Sequence, residues 1–518
     1  MIELPVLHPD PVAPPVKWGK VINEHTCIGC HACSVACKME HDVPLSVNRT
    51  YVKQVEVGTF PEVSRQFQVT RCNQCDNAPC VAICPVTAMF TRKDGIVDFD
   101  RDVCIGCKAC IAACPYDAIY INPDVHSAEK CNFCAHRIDQ GMEPACVIVC
   151  PVEAIVVGNL NDPNSDVVQL IARDRADVRK PEKGTNPKVF YTGASDFALN
   201  PSKSSYTGAH MYSEQHEGYP VQSESSHPRS SVAAARLAYD VPHHAPWHWE
   251  VSLYTWTKSI SAGVFIMFAI LAFSGQVLPA SWDLLSAVIG GIFLGITGLL
   301  LVTDLEHPSR FLRIFTRPQW RSWLVRGSFI IAFYSLVLLV QFVAGVAGLT
   351  SWNVGLAVPG IILGGLTAIY TAFLFAQAKG RDLWQNPALP LHLFSQAALA
   401  GAAVYSIAGL FLTLTPTSLV IVHITLVVSL LVHLALIVSE WVIPHMIEDA
   451  RRAAHQMIHG RYRSYYWTGM LLGAILPLIL GLFFAHATVA AIAAVFALGG
   501  LLAYEHAYVQ AGQSVPLS

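Results

Sequence analysis

The stretch Cys104-Ile-Gly-Cys107-Lys-Ala-Cys110-Ile-Ala-Ala-Cys114-Pro115 decides how the front of this chain folds. Three cysteines two residues apart sit on one tight loop and can wrap three corners of an iron–sulfur cubane. The fourth, three residues on, has entered a helix and points at a neighbouring cluster. Working outward, the pattern recurs as Cys72-x2-Cys75-x4-Cys80-x3-Cys84 before it and Cys131-x2-Cys134-x11-Cys146-x3-Cys150 after it. It recurs again as Cys27-x2-Cys30-x2-Cys33-x3-Cys37 at the front. These groups hold all 16 cysteines of the 518 residues. In three groups the last cysteine precedes proline, and the chain runs on in parallel as Pro85-Val-Thr-Ala-Met89, Pro115-Tyr-Asp-Ala-Ile119 and Pro151-Val-Glu-Ala-Ile155; Cys37 departs, with Lys38 in that place. Proline ends the helical amide ladder, and the apolar runs that follow (Ile96–Phe99, Ile119–Ile121, Ile155–Val157) suit short strands. Zinc ribbons also use paired cysteines, but the x3 closing step and the Cys-Pro repeat favour cubanes. No disulfide scheme needs four copies of one loop. The expectation is an α+β ferredoxin-like domain with tandem cubane-binding repeats over 20–195, holding four [4Fe–4S] clusters behind an extended, proline-rich arm at 1–19.

Composition sets a second problem. With 53% hydrophobic and 14% charged residues, the chain is too apolar to be wholly soluble. No Asp, Glu, Lys or Arg occurs in 284–303, 327–378, 383–439 or 464–504, and a helix crosses the hydrocarbon core in roughly 20 apolar residues. The first window holds one span and each of the others two. With 251–274 in front, the expectation is an all-α bundle of eight transmembrane helices within 247–510. They fall near 251–274, 284–303, 327–348, 355–378, 390–412, 418–439, 465–485 and 487–508, and leave a C-terminal tail at 511–518. Residues 196–246, rich in Ser, His, Tyr and Pro, read as a linker; the irregular spacing of His210, His216, His227, His243 and His244 argues against a metal tract. A net charge of −3 without basic runs argues against nucleic acid.

Loop charge sets the orientation. Connections after spans two, four and six carry eleven Lys or Arg, among them Arg310, Arg313, Arg381 and Arg451, and those after spans one, three, five and seven carry none. Positive loops stay inside, so both termini and the cysteine domain are expected on the cytoplasmic face of the inner membrane. No signal peptide and no twin-arginine pair is read near the N-terminus, which agrees with that expectation.

Residues 20 to about 195, including Arg179-Lys-Pro-Glu-Lys-Gly184, resemble the electron-transfer subunits of the dimethyl-sulfoxide-reductase, formate-dehydrogenase and polysulfide-reductase complexes. That family's wiring implies four ligand sets. Cluster one takes Cys27, Cys30, Cys33 and Cys150, and cluster two Cys131, Cys134, Cys146 and Cys37. Cluster three takes Cys72, Cys75, Cys80 and Cys114, and cluster four Cys104, Cys107, Cys110 and Cys84. The first lies nearest a separate catalytic subunit, of the molybdopterin or tungstopterin type, and the last nearest the membrane. The membrane half is similar to the eight-span, quinone-reacting anchors called NrfD-like. The matching residues are His248-Trp249, Tyr254, Ala262-Gly263, Asp304-Leu-x-His-Pro-x-Arg310-Phe311, Trp323-x-x-x-Gly327, Tyr370 and Leu383-Trp384.

By that resemblance Tyr370 on span four binds the quinone, menaquinone or ubiquinone, with Tyr254 and His248 beside it. Val251 and Tyr254 replace the Asn and His that polysulfide reductase carries on span one. Lys258 stands out on residue chemistry, because an intramembrane ammonium is costly and faces a partner or a wet cavity; the alternative is snorkelling to the interface. Asp304 is its expected partner or proton relay, and Glu440, His433 and His423 are further relay candidates. The chain is thus expected to pass electrons between its catalytic partner and the quinone pool. Two other readings are a haem-b anchor and a ferredoxin-coupled ion-translocating protein. The first needs two facing histidines, and His423 and His433, about 80° apart on one helix, cannot clamp one haem; no haem is expected.

Overall fold

The computed structural model describes residues 15–59, 61–206, 235–276, 278–349, 353–443, 445–484 and 486–518. The front unit strings short elements between the cysteine loops. In order these are β1 (Trp18–Asn23), α1 (Ala32–His41), β2 (Tyr51–Thr59), β3 (Glu62–Thr70), α2 (Pro79–Ile83), β4 (Met89–Thr91), β5 (Val97–Phe99) and α3 (Ala109–Ala113). There follow β6 (Ile119–Asn122), β7 (Ser127–Lys130), α4 (Ala135–Ile138), α5 (Ala145–Ile148), β8 (Ile155–Asn159), α6 (Asp166–Asp174) and β9 (Val189–Thr192). The apolar runs behind the Cys-Pro steps are strands, as their patterning predicts. β6 pairs with β7, β5 with β4, and β8 with β1, all antiparallel, while β9 lies parallel to β1. The sheet β8-β1-β9 ties the first cysteine group to the fourth.

The segment expected to be a linker is folded at both ends. It forms α7 (Asp196–Leu199), β10 (Ser205–Tyr206) and β11 (Ala235–Tyr239), and β11 extends the β2–β3 hairpin. The run Ala235-Arg-Leu-Ala-Tyr239 is short and strand-competent, and averaging over the whole segment hides it. His210, His216 and His227 lie outside the described residues. His243 instead pins the chain where it approaches the bundle, its Nδ1 against Asp117 and its Nε2 3.2 Å from Asp240. Burial pulls its imidazole pKa down, but Asp240 and Asp117 outweigh that and push it up to about 10. A pKa raised from an unfolded value near about 6.5 stabilises fully below that pH, and the contribution fades as pH rises through about 10. His243→Gln should therefore cost the full chain about 1.5–3 kcal/mol near neutrality and much less at pH 10. Thermal melts showing equal losses at both pH values would contradict this.

The membrane half contains α8 (Trp249–Phe273), α9 (Ala280–Thr303), a short α10 (Arg313–Thr316), α11 (Trp323–Val346), α12 (Asn353–Gln377), α13 (Leu389–Ala408) and α14 (Pro416–Val442). Next come α15 (Glu448–Ile458), α16 (Arg463–Trp467) and α17 (Leu476–Phe483), with a π-helical stretch Thr468–Ile475 joining the last two, and finally α18 (Ala487–Ala511). Among the described residues eight helices are long and apolar enough to cross a membrane, each within a few residues of its expected place. α8 is the most buried and packs on α9, α12, α13 and α18. Gly263 of α8 meets Gly401 of α13 so closely that a Cβ on either would strike the other's backbone, a small-residue contact that lets two membrane helices touch.

The bundle grips the loops of cysteine groups two and three. Ser322 Oγ donates to the Ile83 carbonyl (2.7 Å), Gln319 N to Pro85 (2.9 Å), Arg310 to Cys104 (2.9 Å) and Trp247 Nε1 to Cys107 (3.3 Å). Residues 511–518, expected to be a tail, are packed between the two halves. Leu517 is buried, its carbonyl accepts from Arg179, and Ser518 bonds the Tyr51 hydroxyl.

Candidate functional site

Short helices carry the third cysteine of each group, and only Cys37 among the closing cysteines lies within a helix; Cys84 and Cys114 instead end theirs in extended backbone, and Cys150 follows α5. Cys33 and Cys37 lie on α1, Cys80 on α2 with Cys84 as its cap, Cys110 on α3 with Cys114 as its cap, and Cys146 on α5. None of the sixteen is in a disulfide. Cys84, Cys104, Cys107 and Cys110 line one small cavity. The other quartets are traced by the charges their thiols feel. Cys80 feels Cys72, Cys114 and Cys75; Cys37 feels Cys131, Cys146 and Cys134; Cys27 feels Cys150 and Cys30. Burial, then this mutual repulsion, pushes the Cys37 and Cys75 thiols up to about 12. Four such thiolates coexist only around a positive centre. Among the described residues no group of three or more His, Cys, Asp or Glu closes tightly enough to hold one metal ion.

The quartets also stand in line. Cys33 feels Cys146, Cys72 feels Cys131, and Cys110 feels Cys80. These electrostatic couplings link the sets in the order one, two, three, four. Cys30 is exposed at one end, and at the other Cys107 carries the Trp247 hydrogen bond. Within the line, Arg71 Nη1 lies 3.0 Å and Lys20 Nζ 3.7 Å from Cys146 Sγ. Burial raises this thiol, yet the two cations prevail and lower it to about 7. They would favour the reduced state of a cluster held there, since charge and hydrogen bonds to the sulfurs tune the potential.

Beneath Trp247, which stacks on Trp384 (5.5 Å) and Phe375 (6.0 Å), the bundle encloses a polar group. Lys258 on α8 is 0% exposed; its Nζ donates to Thr371 Oγ1 at 2.5 Å and sits 4.8 Å from the centre of the Tyr370 ring, both on α12. A Cβ at Gly327 would hit that ring, which explains the glycine in the Trp323-x-x-x-Gly327 motif. Glu505 on α18, 4% exposed, is the acid facing Lys258, and the Thr255 hydroxyl of α8 lies beside its carboxylate. Tyr254 lies within electrostatic reach of Tyr370, Asp304 and Glu505.

Several sequence expectations are corrected by this geometry. Asp304 is not the partner of Lys258. It caps α9 and pairs with Lys108 of the cysteine domain at 3.5 Å, where burial, relieved by Lys108, raises its pKa to about 6. His248 is exposed at the start of α8, apart from the Lys258 group, and its carbonyl accepts from Gln510. His423 is part-exposed and stands outside the buried polar group. His433 does face a histidine, one that sequence reasoning passed over. His392 on α13 bonds it Nε2 to Nδ1 at 3.0 Å, too close for an iron between them at about 2 Å from each nitrogen. Glu505 was also missed, because the charge-free window ends at 504, one residue short of it. Asp283, one residue before the charge-free window at 284, is 1% exposed on α9.

Comparison with known proteins agrees with both halves. Residues 63–160 match a 4Fe-4S dicluster domain, and residues 240–516 match the family described as polysulphide reductase, NrfD. The front is similar to a subunit of the tetrathionate reductase of Salmonella typhimurium, 42% identical over 193 residues, which cover 36% of this chain and 77% of that protein. It is equally similar to one of the polysulfide reductase polypeptides of Wolinella succinogenes, 42% identical over 177 residues covering 34% and 93%. The arsenate respiratory reductase iron-sulfur subunit ArrB of a Shewanella species is 36% identical over 224 residues, covering 34% and 96%. A multi-pass membrane portion, a cysteine domain of iron–sulfur type and these likenesses meet in one polypeptide, and the chain belongs to the polysulphide reductase NrfD family as an iron–sulfur electron-transfer subunit fused to its own membrane anchor.

Proposed function

We propose that this chain carries electrons between a separate catalytic subunit and a membrane quinone, through four [4Fe–4S] clusters held by the sixteen cysteines in the quartets described above. The observation that carries the reading is the unbroken line from exposed Cys30 to the Trp247–Cys107 contact, which ends over Lys258, Tyr370 and Tyr254. When bound, the clusters supply one-electron carriers. The chain's own residues bury them, order them and tune them, as Arg71 and Lys20 do at Cys146. In the bundle, Tyr370 and Tyr254 offer hydroxyls to a quinone carbonyl, Lys258 offers a positive charge where negative charge develops on reduction, and Asp304 lies one step nearer the loops as a relay.

The catalytic partner is proposed to be of the molybdopterin or tungstopterin type; the relatives at the front of the chain are themselves subunits of reductases. Its docking face is the end around Cys30, where Ile28, Val35, Met39, Leu45 and Ile148 are all more than half exposed. An apolar patch of this kind marks an interaction surface. The charge of the loops supports a cytoplasmic position for the cysteine domain and both termini. Labelling of lysines in the cysteine domain from the outer face of intact cells would overturn that position.

Two measurements test the core of the reading. Metal analysis of the loaded chain should give about 16 iron and 16 sulfide, four per cubane; iron near about 12 with substantial zinc would defeat the four-cubane assignment. A photoreactive azidoquinone should label peptides from α8 and α12, and labelling confined to other helices would place the quinone elsewhere.

A further inference from the structure

We propose that Glu440, Tyr504 and the His392–His433 pair form a proton route from the surface that bears the ferredoxin domain to the quinone site. This rests on the quinone reading above and adds the source of the protons. A quinone that takes two electrons becomes a quinol by binding two protons. The electrons arrive through the clusters, and the protons come from water on the same face.

The groups form a string through the second half of the bundle. At the surface, part-exposed His445 stands 3.9 Å from Glu440 Oε2, near the end of α14. Glu440 is 5% exposed; its Oε1 accepts from Asn386, and its Oε2 has no hydrogen-bond partner. The carboxylate lies within electrostatic reach of Tyr504, Tyr466 and Tyr508. Tyr504 comes next, with its ring 5.2 Å from His392 and 5.5 Å from His433. It is followed on α18 by Glu505, the acid facing Lys258. Glu440 and His433 are seven residues apart on one face of α14, about 10 Å along the axis, and Tyr504 bridges that interval.

Two features separate this string from an ordinary structural network. Each of its side chains, carboxyl, phenol or imidazole, can both give and take a proton, and among the described residues no Lys or Arg pairs with one of them until Lys258 is reached. It is also left incomplete. Besides Glu440 Oε2, the Tyr504 and Tyr466 hydroxyls and Gln396 Oε1, one turn from His392, are buried without a hydrogen-bond partner. Native cores saturate such groups, and a run of unsaturated ones between helices is where water can complete a transfer chain. Asp283, a further buried acid, lies at the far end of the bundle with Ser286 and Gln341, and its use would bring protons from the opposite face.

The full chain, loaded with its clusters and placed in lipid vesicles, would be reduced with a viologen dye and given a short-chain menaquinone analogue. Glu440→Gln and His433→Phe should slow dye-to-quinone transfer on the order of a hundredfold and enlarge the rate difference between water and deuterium oxide. Reduction of the clusters by the dye should be unchanged, Glu440→Asp should keep most of the rate, and Asp283→Asn should match the parent. A pH dye should report proton uptake on the ferredoxin-bearing face. If Glu440→Gln keeps both the parent rate and the parent isotope effect, the route is wrong while the quinone reading stands. Uptake from the opposite face, or a loss in Asp283→Asn alone, would also overturn it. Failure of the parent chain to reduce the quinone would overturn both.

Discussion

Lys258→Met and Tyr370→Phe should each lose quinone-linked turnover while the reaction between the catalytic partner and an artificial dye persists. Phenylalanine keeps the ring of Tyr370 against Gly327 and removes one hydroxyl; methionine keeps much of the lysine stem and removes its charge. A hydrogen bond involving a charged group contributes about 1.5–3 kcal/mol, which corresponds to a loss on the order of tenfold to a hundredfold. Lys258→Met also leaves Glu505 without its cation, and an acid stranded in the membrane is costly. The double variant with Glu505→Gln should therefore restore expression but not turnover. Normal turnover of both single variants would move the quinone site elsewhere in the bundle, and loss of the dye reaction as well would make these residues structural.

Cys84→Ala should have the largest effect of any single substitution, because it interrupts the line at its membrane end. Cys84 shares its cavity with Cys104, Cys107 and Cys110, not with the remaining cysteines of its own group. The variant should lose about four iron per chain, keep the paramagnetic signals of the clusters nearer Cys30, and stop delivering electrons to quinone. Loss of the signal belonging to Cys72, Cys75 and Cys80 instead would contradict the crossed pairing.

Cysteine spacing carried this much because a cubane loop is a local object: the distance between ligands along the chain sets the distance in space. The eight spans were legible for a similar reason, since each must satisfy its backbone internally and cover the bilayer by length alone. The polar site was only half legible. Lys258 and Tyr370 could be chosen one at a time, the first by the cost of a buried ammonium and the second by resemblance. Which groups meet depends on packing, and the close Gly263–Gly401 approach that makes α8 the central helix has no signature in spacing. Lys258 thus met Thr371 and Glu505 in place of Asp304, while Lys108, from the distant cysteine domain, claimed Asp304. His392 escaped notice because a facing pair lies across two helices, whereas His423 and His433 share one. The strand Ala235–Tyr239 escaped because its partner is β2, far away in sequence.

The most direct test of the account is to reduce the purified, cluster-loaded chain fully, remove the reductant and mix it with a quinone analogue in a stopped-flow spectrometer. One chain should return about four electrons, one from each cubane, and convert roughly two quinones to quinol as the broad iron–sulfur absorbance recovers. A reduced chain that stays reduced in the presence of quinone would show that the line of cysteine quartets does not lead to a quinone site in this bundle.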